Sequence, residues 1–219
     1  MGAASAGPLF AYLPKEKRTH ALNLDTLETT EVRWSTWGNQ NAYGPLTMRT
    51  SPDGTLLVGH GGGWAGCEMA IFDGGTQKGT QKIPFWSFNG SFALPSADSQ
   101  FVLVTGGKRF DRSIRETKIA GLDGAFLVPA IEPGYFLALA NQSRHDAPGN
   151  AVPDDSLAVF SDERKLLFYV RGLDELKSRS DMSWEKRVHY YPKAGLLIGL
   201  NLVKNQVVLR PVRKPDQKD

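Results

Sequence analysis

Apolar residues along this chain come in short runs, each closed by a cluster of Gly, Pro, Asp, Asn or Ser. Short apolar or alternating runs between turn signals predict β-strands rather than helices. The clearest case is Ser51-Pro52-Asp53-Gly54, followed by the apolar run 55–59. Pro52 presets its own φ, Asp53 can bond neighbouring backbone, and Gly54 accepts a positive φ. The pattern predicts further strands of this kind at 9–13, 100–105, 135–140 and 196–201. Four of these five are preceded by a strand running into the turn, at 46–50, 91–95, 125–130 and 187–191. A second recurring piece lies downstream: Ala21-Leu22-Asn23-Leu24-Asp25 resembles Met69-Ala70-Ile71-Phe72-Asp73 and Leu157-Ala158-Val159-Phe160-Ser161. Each precedes a polar turn and a further strand, at 29–34, 78–85 and 165–170.

Two sets of landmarks report one period. Asp25 to Asp73 is 48 residues, and Asp73 to Ser161 is 88, or twice 44. The turn anchors Gly7, Gly54 and Ser99 are spaced 47 and 45 apart. A repeat of this length with about four short strands per copy predicts an all-β, β-propeller-like fold. A βαβ fold would need helical patterns of about 10 to 15 residues between strands, and none of that length is present. A β-sandwich predicts no matching repeat. The reading is one domain over 1–212, with about five blade units of three to four antiparallel strands at 7–45, 46–90, 91–124, 125–186 and 187–212. The first unit lacks its inner strand. The third has a third strand at 116–122 and little room for a fourth, and the last ends after 206–212. This inventory does not close neatly, so an incomplete or open propeller is expected. Residues 213–219 read as a polar tail or linker.

Composition narrows the function classes. With 219 residues, 41% hydrophobic and 22% charged, the chain has globular proportions. Its net charge of +3 is too balanced for a nucleic-acid binder. The one cysteine, Cys67, rules out an internal disulfide framework and a cysteine zinc cluster, and reads as a small core residue. No apolar run approaches the ~18 residues of a membrane helix, and the N-terminus lacks signal-peptide features. The Gly61-Gly62-Gly63-Trp64-Ala65-Gly66 stretch contains a literal G-x-G-x-x-G, but a strand follows it where a dinucleotide site needs a helix. His20, His60, His145 and His189 lack metal-ligand spacing, and there is no G-x-S-x-G elbow. No cofactor and no metal are expected.

The turn Ser51-Pro52-Asp53-Gly54 before an apolar strand resembles the blade starts of WD40-like and YVTN-like repeat propellers. The unit that begins Val188-His189-Tyr190-Tyr191-Pro192 and runs to Leu209 is similar to closing blades in large multidomain bacterial proteins. No Trp-Asp dipeptide ends any unit, which departs from the strict WD40 pattern. The resemblance implies an interaction platform.

With strands A to D numbered outward in each unit, the A–B turns are short, while the B–C and D–A connections are long. The B–C loops are expected at 60–66, 106–113 and 142–155, and the D–A loops at 35–45, 86–90 and 172–186. Insertions gathered at one end predict the binding face. Trp37, Trp64 and Trp184 fall in these loops, and Trp34 and Trp86 where D strands run into them. Trp offers a large apolar area with a polar edge. Lys108, Arg109, Arg112, Arg115 and Arg144 accompany them and suit an acidic peptide or a sugar acid, and His145 lies on the same side. The leading reading is a non-enzymatic module that binds a protein or peptide through Trp37, Trp64, Trp86, Arg109, Arg112, Arg144, His145 and Trp184. The alternatives are a propeller hydrolase or lyase for a sugar or lactone, with Asp111, Asp146, Asp154 and Asn39 as calcium candidates, and an architectural segment that self-associates or contacts the rest of a larger chain.

Overall fold

The computed structural model describes residues 7–13, 15–16, 18–34, 47–73, 75–84, 93–139, 152, 156–173, 187–201 and 204–212. They form eighteen strands in five antiparallel sheets, each built from consecutive strands. Sheet 1 holds β1 (Leu9–Leu13), β2 (Arg18–Leu22) and β3 (Thr29–Val32). Sheet 2 holds β4 (Thr47–Thr50), β5 (Leu56–His60), β6 (Cys67–Asp73) and β7 (Thr76–Ile83). Sheet 3 holds β8 (Ala93–Pro95), β9 (Phe101–Val104), β10 (Lys108–Asp111) and β11 (Glu116–Lys118). Sheet 4 holds β12 (Phe126–Pro129), β13 (Tyr135–Leu139), β14 (Ser156–Ser161) and β15 (Leu166–Arg171). Sheet 5 holds β16 (Val188–Tyr191), β17 (Leu196–Asn201) and β18 (Gln206–Pro211). The fold is all-β and β-propeller-like, as the period predicts.

The chain divides into two units: residues 1–102 with 110–116, and 103–109 with 117–219. Each has its own apolar cluster. In the first, Phe10, Ala21, Val32, Leu57, Ala70 and Phe72 pack together, with Phe10 and Phe72 edge to face at 4.9 Å. In the second, Leu103, Leu122, Leu127, Phe136, Ala158 and Phe160 pack, with Phe136 and Phe160 stacked at 5.3 Å. Phe72 and Phe160 occupy matching places in the repeat. Both follow a register irregularity, between Ile71 and Phe72 in sheet 2 and between Val159 and Phe160 in sheet 4. Such a bulge re-aims the side chain of a C strand, so the repeated sequence carries a repeated backbone device.

Two expectations are corrected. Residues 108–111 form β10, not part of a loop at 106–113, so the third sheet has four strands. Gly106 (φ +105°) and Gly107 (φ +77°) make the tight turn, and Phe110 is fully buried, which commits Lys108-Arg109-Phe110-Asp111 to the sheet. The second strand of the first unit starts at Arg18 and ends at Leu22, instead of spanning 21–25. Its end is set by Asn23, whose side-chain oxygen accepts the Asp25 and Thr26 N–H groups at 2.8 and 3.2 Å. Trp34, expected where the first D strand runs into its loop, is buried in the first cluster, its Nε1 donating to Thr19 Oγ1 at 3.1 Å.

Candidate functional site

In an antiparallel four-strand sheet the A–B and C–D turns share one end, and the B–C and D–A connections share the other. The long connections of this chain, 33–46, 84–92, 140–155 and 172–187, are all B–C or D–A. The B–C connection of sheet 3, by contrast, is the short turn after Val104. Trp37, Trp64, Trp86, Arg144, His145 and Trp184 lie outside the described residues, as do Asn39, Asp146 and Asp154.

Arg109 and Arg112 are described, and they are not brought together on that end. Arg109 is in β10, where its Nη1 donates to the Asp162 carbonyl at 2.7 Å, tying sheet 3 to the C–D turn of sheet 4. Arg112 follows β10 in the C–D turn. That turn is at the A–B end of its sheet, opposite the expected face. Asp111 shapes the same turn, accepting the N–H groups of Ser113 and Arg115 at 2.8 and 2.9 Å. Its Oδ1 is thus committed to backbone, while Oδ2 faces the Arg115 guanidinium at 3.5 Å.

Within each unit, side chains link the A–B turns, a feature that sequence reasoning passed over. Ser51 and Ser96 each place an Oγ on the backbone N–H five residues on, at 3.0 Å in both cases. Each also donates to the aspartate two residues on, Asp53 or Asp98, at 2.6 Å. Asp53 Oδ1 then accepts the Ser99 hydroxyl at 2.5 Å, joining the A–B turns of sheets 2 and 3. Gly7 packs against the same turn: a Cβ there would sit 2.6 Å from Gly54 Cα. In the second unit, Glu132 Oε2 accepts the Lys193 N–H at 3.0 Å, joining the A–B turns of sheets 4 and 5. The signal was in the sequence, as a Ser-x-Asp repeated at the turn anchors, but side-chain bonding between turns is invisible without the register.

A cavity of about 360 Å³ lies at this end of the first unit, with Pro8, Asn23, Asp25, Asp53, Thr55 and Phe72 among its lining. Its chemistry is spent internally. Partial burial works against charge on Asp53, but hydrogen bonds from Ser51, Ser99 and Thr55 outweigh it and hold the carboxyl below its ordinary 3.8. An ionised carboxylate already accepting these donors makes a poor general base. Cys67 is fully buried; desolvation, with the neighbouring Glu68 charge second, pushes its thiol far above the ordinary range, which excludes a thiolate nucleophile. His20 sits 3.7 Å from Glu16, an ion-pair distance without a hydrogen bond. Among the described residues no three His, Cys, Asp or Glu side chains converge as for a metal ion, and no helix is long and apolar enough to cross a membrane.

No family model and no curated protein matches the chain. Among solved structures it is similar to the Pan2 WD40 domain of Neurospora crassa, with a TM-score of 0.51 and 13% identity over 95% of this chain and 62% of that one. It is also similar to TolB from Acinetobacter baumannii, with a TM-score of 0.50 and 11% identity over 91% of this chain and 50% of that one. The chain thus spans less than two thirds of either structure. At such identities the likeness concerns architecture alone, and the architecture is that of a WD40-like β-propeller.

Proposed function

We propose that the chain is a non-enzymatic binding module that presents the B–C and D–A end of its sheets to a protein or peptide. The supporting observation is the asymmetry between the two ends. Within each unit the A–B turns close on one another, through Asp53–Ser99 in the first and Glu132–Lys193 in the second. Its polar groups serve the fold. The other end receives the long connections, and the sequence puts Trp37 and Trp184 in them and Trp64 in the shorter B–C connection 61–66. Large aromatic side chains in long connections on a rigid scaffold suit recognition. Arg109, with its guanidinium on a backbone carbonyl, belongs to the scaffold in this reading.

The test is selection of binders from a displayed peptide library, followed by titration of one selected peptide. Replacing Trp37, Trp64 and Trp184 by Ala should weaken it by about tenfold or more. Asp98→Ala, at the opposite end, should leave affinity unchanged. Retention of binding in the triple variant, with its circular dichroism intact, would defeat the assignment.

A further inference from the structure

Among the described residues, sheet 5 has three strands where sheets 2, 3 and 4 have four. In those three, the C strand is followed by a D strand paired to its outer edge. The C strands so covered, β6 and β14, are buried along nearly their whole length. β18 holds the C position of sheet 5 and, among the described residues, pairs only with β17. It is exposed or half-buried throughout, with Val207 and Leu209 exposed at 63% and 61%.

The backbone of β18 is directional. The Val212 N–H donates to the Gly195 carbonyl at 2.8 Å, so Val212 faces the β17 side. Successive strand residues point their N–H and C=O groups to opposite sides. Arg210, Val208 and Gln206 therefore face β17, and Val207, Leu209 and Pro211 face outward. Val207 and Leu209 thus offer two outward N–H and two outward C=O groups, ending at Pro211, which has no N–H to give. Edges are commonly blunted by charge, as Lys78 and Lys82 do along the outer strand of sheet 2. Val207-Val208-Leu209 carries none.

Beside this edge is a groove of about 510 Å³ between β15 and β18, lined by Phe168, Tyr169, Val170, Arg171, Arg210 and Pro211. Its floor is aromatic and aliphatic, and both of its charged groups are cationic. Arg210 reaches across to the Arg171 carbonyl at 3.3 Å.

We propose that β18 is a docking edge for an extended peptide segment that adds as an antiparallel fourth strand, seats apolar side chains in the β15–β18 groove and carries an acidic residue toward Arg171 and Arg210. The form of the occupant follows from the antiparallel D strands that cover β6 and β14, and its charge from the two arginines. Main-chain bonds to Val207 and Leu209 supply affinity, and the groove supplies specificity. This site is separate from the loop end proposed above.

The probe is a fluorescein-labelled, end-capped octapeptide of alternating Val and Thr with Glu at each end, read by anisotropy against the whole chain. Saturable binding is expected, weakened by about tenfold in Leu209→Pro, which deletes one outward N–H and no bond to β17. A probe with Lys in place of Glu should also bind more weakly, increasingly so at low salt. Val207→Lys with Leu209→Lys is a second variant that blocks the edge by charge while leaving the β17 pairing in place, and it too should lose the probe. Matching melting temperatures of the variants and wild type keep the comparison clean. No binding at about 1 mM probe, or equal binding in both edge variants, would overturn the proposal. So would wild-type dimerisation abolished by Leu209→Pro in the absence of peptide, which would make a second copy the occupant.

Discussion

Asp53 shows how a residue that looks chemically available becomes structural. Its Oδ1 accepts the Ser51, Ser99 and Thr55 hydroxyls and the Thr55 N–H. A carboxyl held below its ordinary 3.8 in the folded chain stabilises the fold at every pH above that value. The contribution fades as the pH falls through 3.8 and then through the lower native value. Asp53→Ala should thus lower stability by about 1 kcal/mol at pH 7, the low end of the range because the side chain is largely exposed. The gap to wild type should shrink below about pH 4, as followed by urea unfolding across pH; a gap constant from pH 7 to 3 would contradict it. Cys67 makes a simpler case. Its buried, strongly proton-bound thiol should resist an aromatic disulfide reagent at pH 8 in the native chain and react fully once unfolded in guanidinium. Rapid native labelling would show that β6 opens.

Among elements, the strands were legible where an apolar run met a strong turn signal. β1 and β17 have the predicted bounds, because Gly7-Pro8 and Pro192-Lys193-Ala194-Gly195 punctuate them. β10 was hidden because Phe110 is its lone apolar residue and its two leading glycines read as loop. Those glycines are not equivalent. A Cβ on Gly107 would lie 1.9 Å from the Leu122 carbonyl oxygen, whereas nothing lies within 4 Å of one on Gly106. Gly106→Ala should cost about 1 kcal/mol, from backbone strain alone. Gly107→Ala should cost about 3 kcal/mol or more, because strain is joined by a clash with fixed backbone. Chemical denaturation of the two variants measures the difference, and equal losses would mean the Leu122 segment moves aside freely.

At the scale of the whole molecule, the repeat told the fold and left the site open, for one physical reason. Residues that recur every 44 to 48 positions recur because the sheets reuse the same turn, and sheets 2 and 4 the same bulge and core contact as well. The outer strands of sheets 1 and 2 are also clipped directly: the Gln77 side chain exchanges two hydrogen bonds with the Arg33 backbone at 2.7 and 2.8 Å. Recognition depends on what does not repeat. The sequence places Trp34 where the 29–34 strand runs into residues 35–45, and its bond to Thr19, which only the fold shows, makes it a core residue. Arg109 was read as part of a basic loop, and in the fold it is a clip onto Asp162. The expected contrast is that Arg109→Ala lowers the melting temperature without changing affinity for a loop-end peptide. Loss of affinity at unchanged stability would return Arg109 to the recognition surface.

The linked A–B turns bear on how such a chain can lengthen. The turn of sheet 2 holds both halves of a connector, with Gly54 receiving the Gly7 backbone and Asp53 reaching forward to Ser99. An in-frame duplication broken within this turn would hand the new copy an acceptor for its successor and a seat for its predecessor. Growth by whole repeats therefore needs no newly invented joint, whereas a break inside a C strand would sever the bulge that aims Phe72 into its cluster.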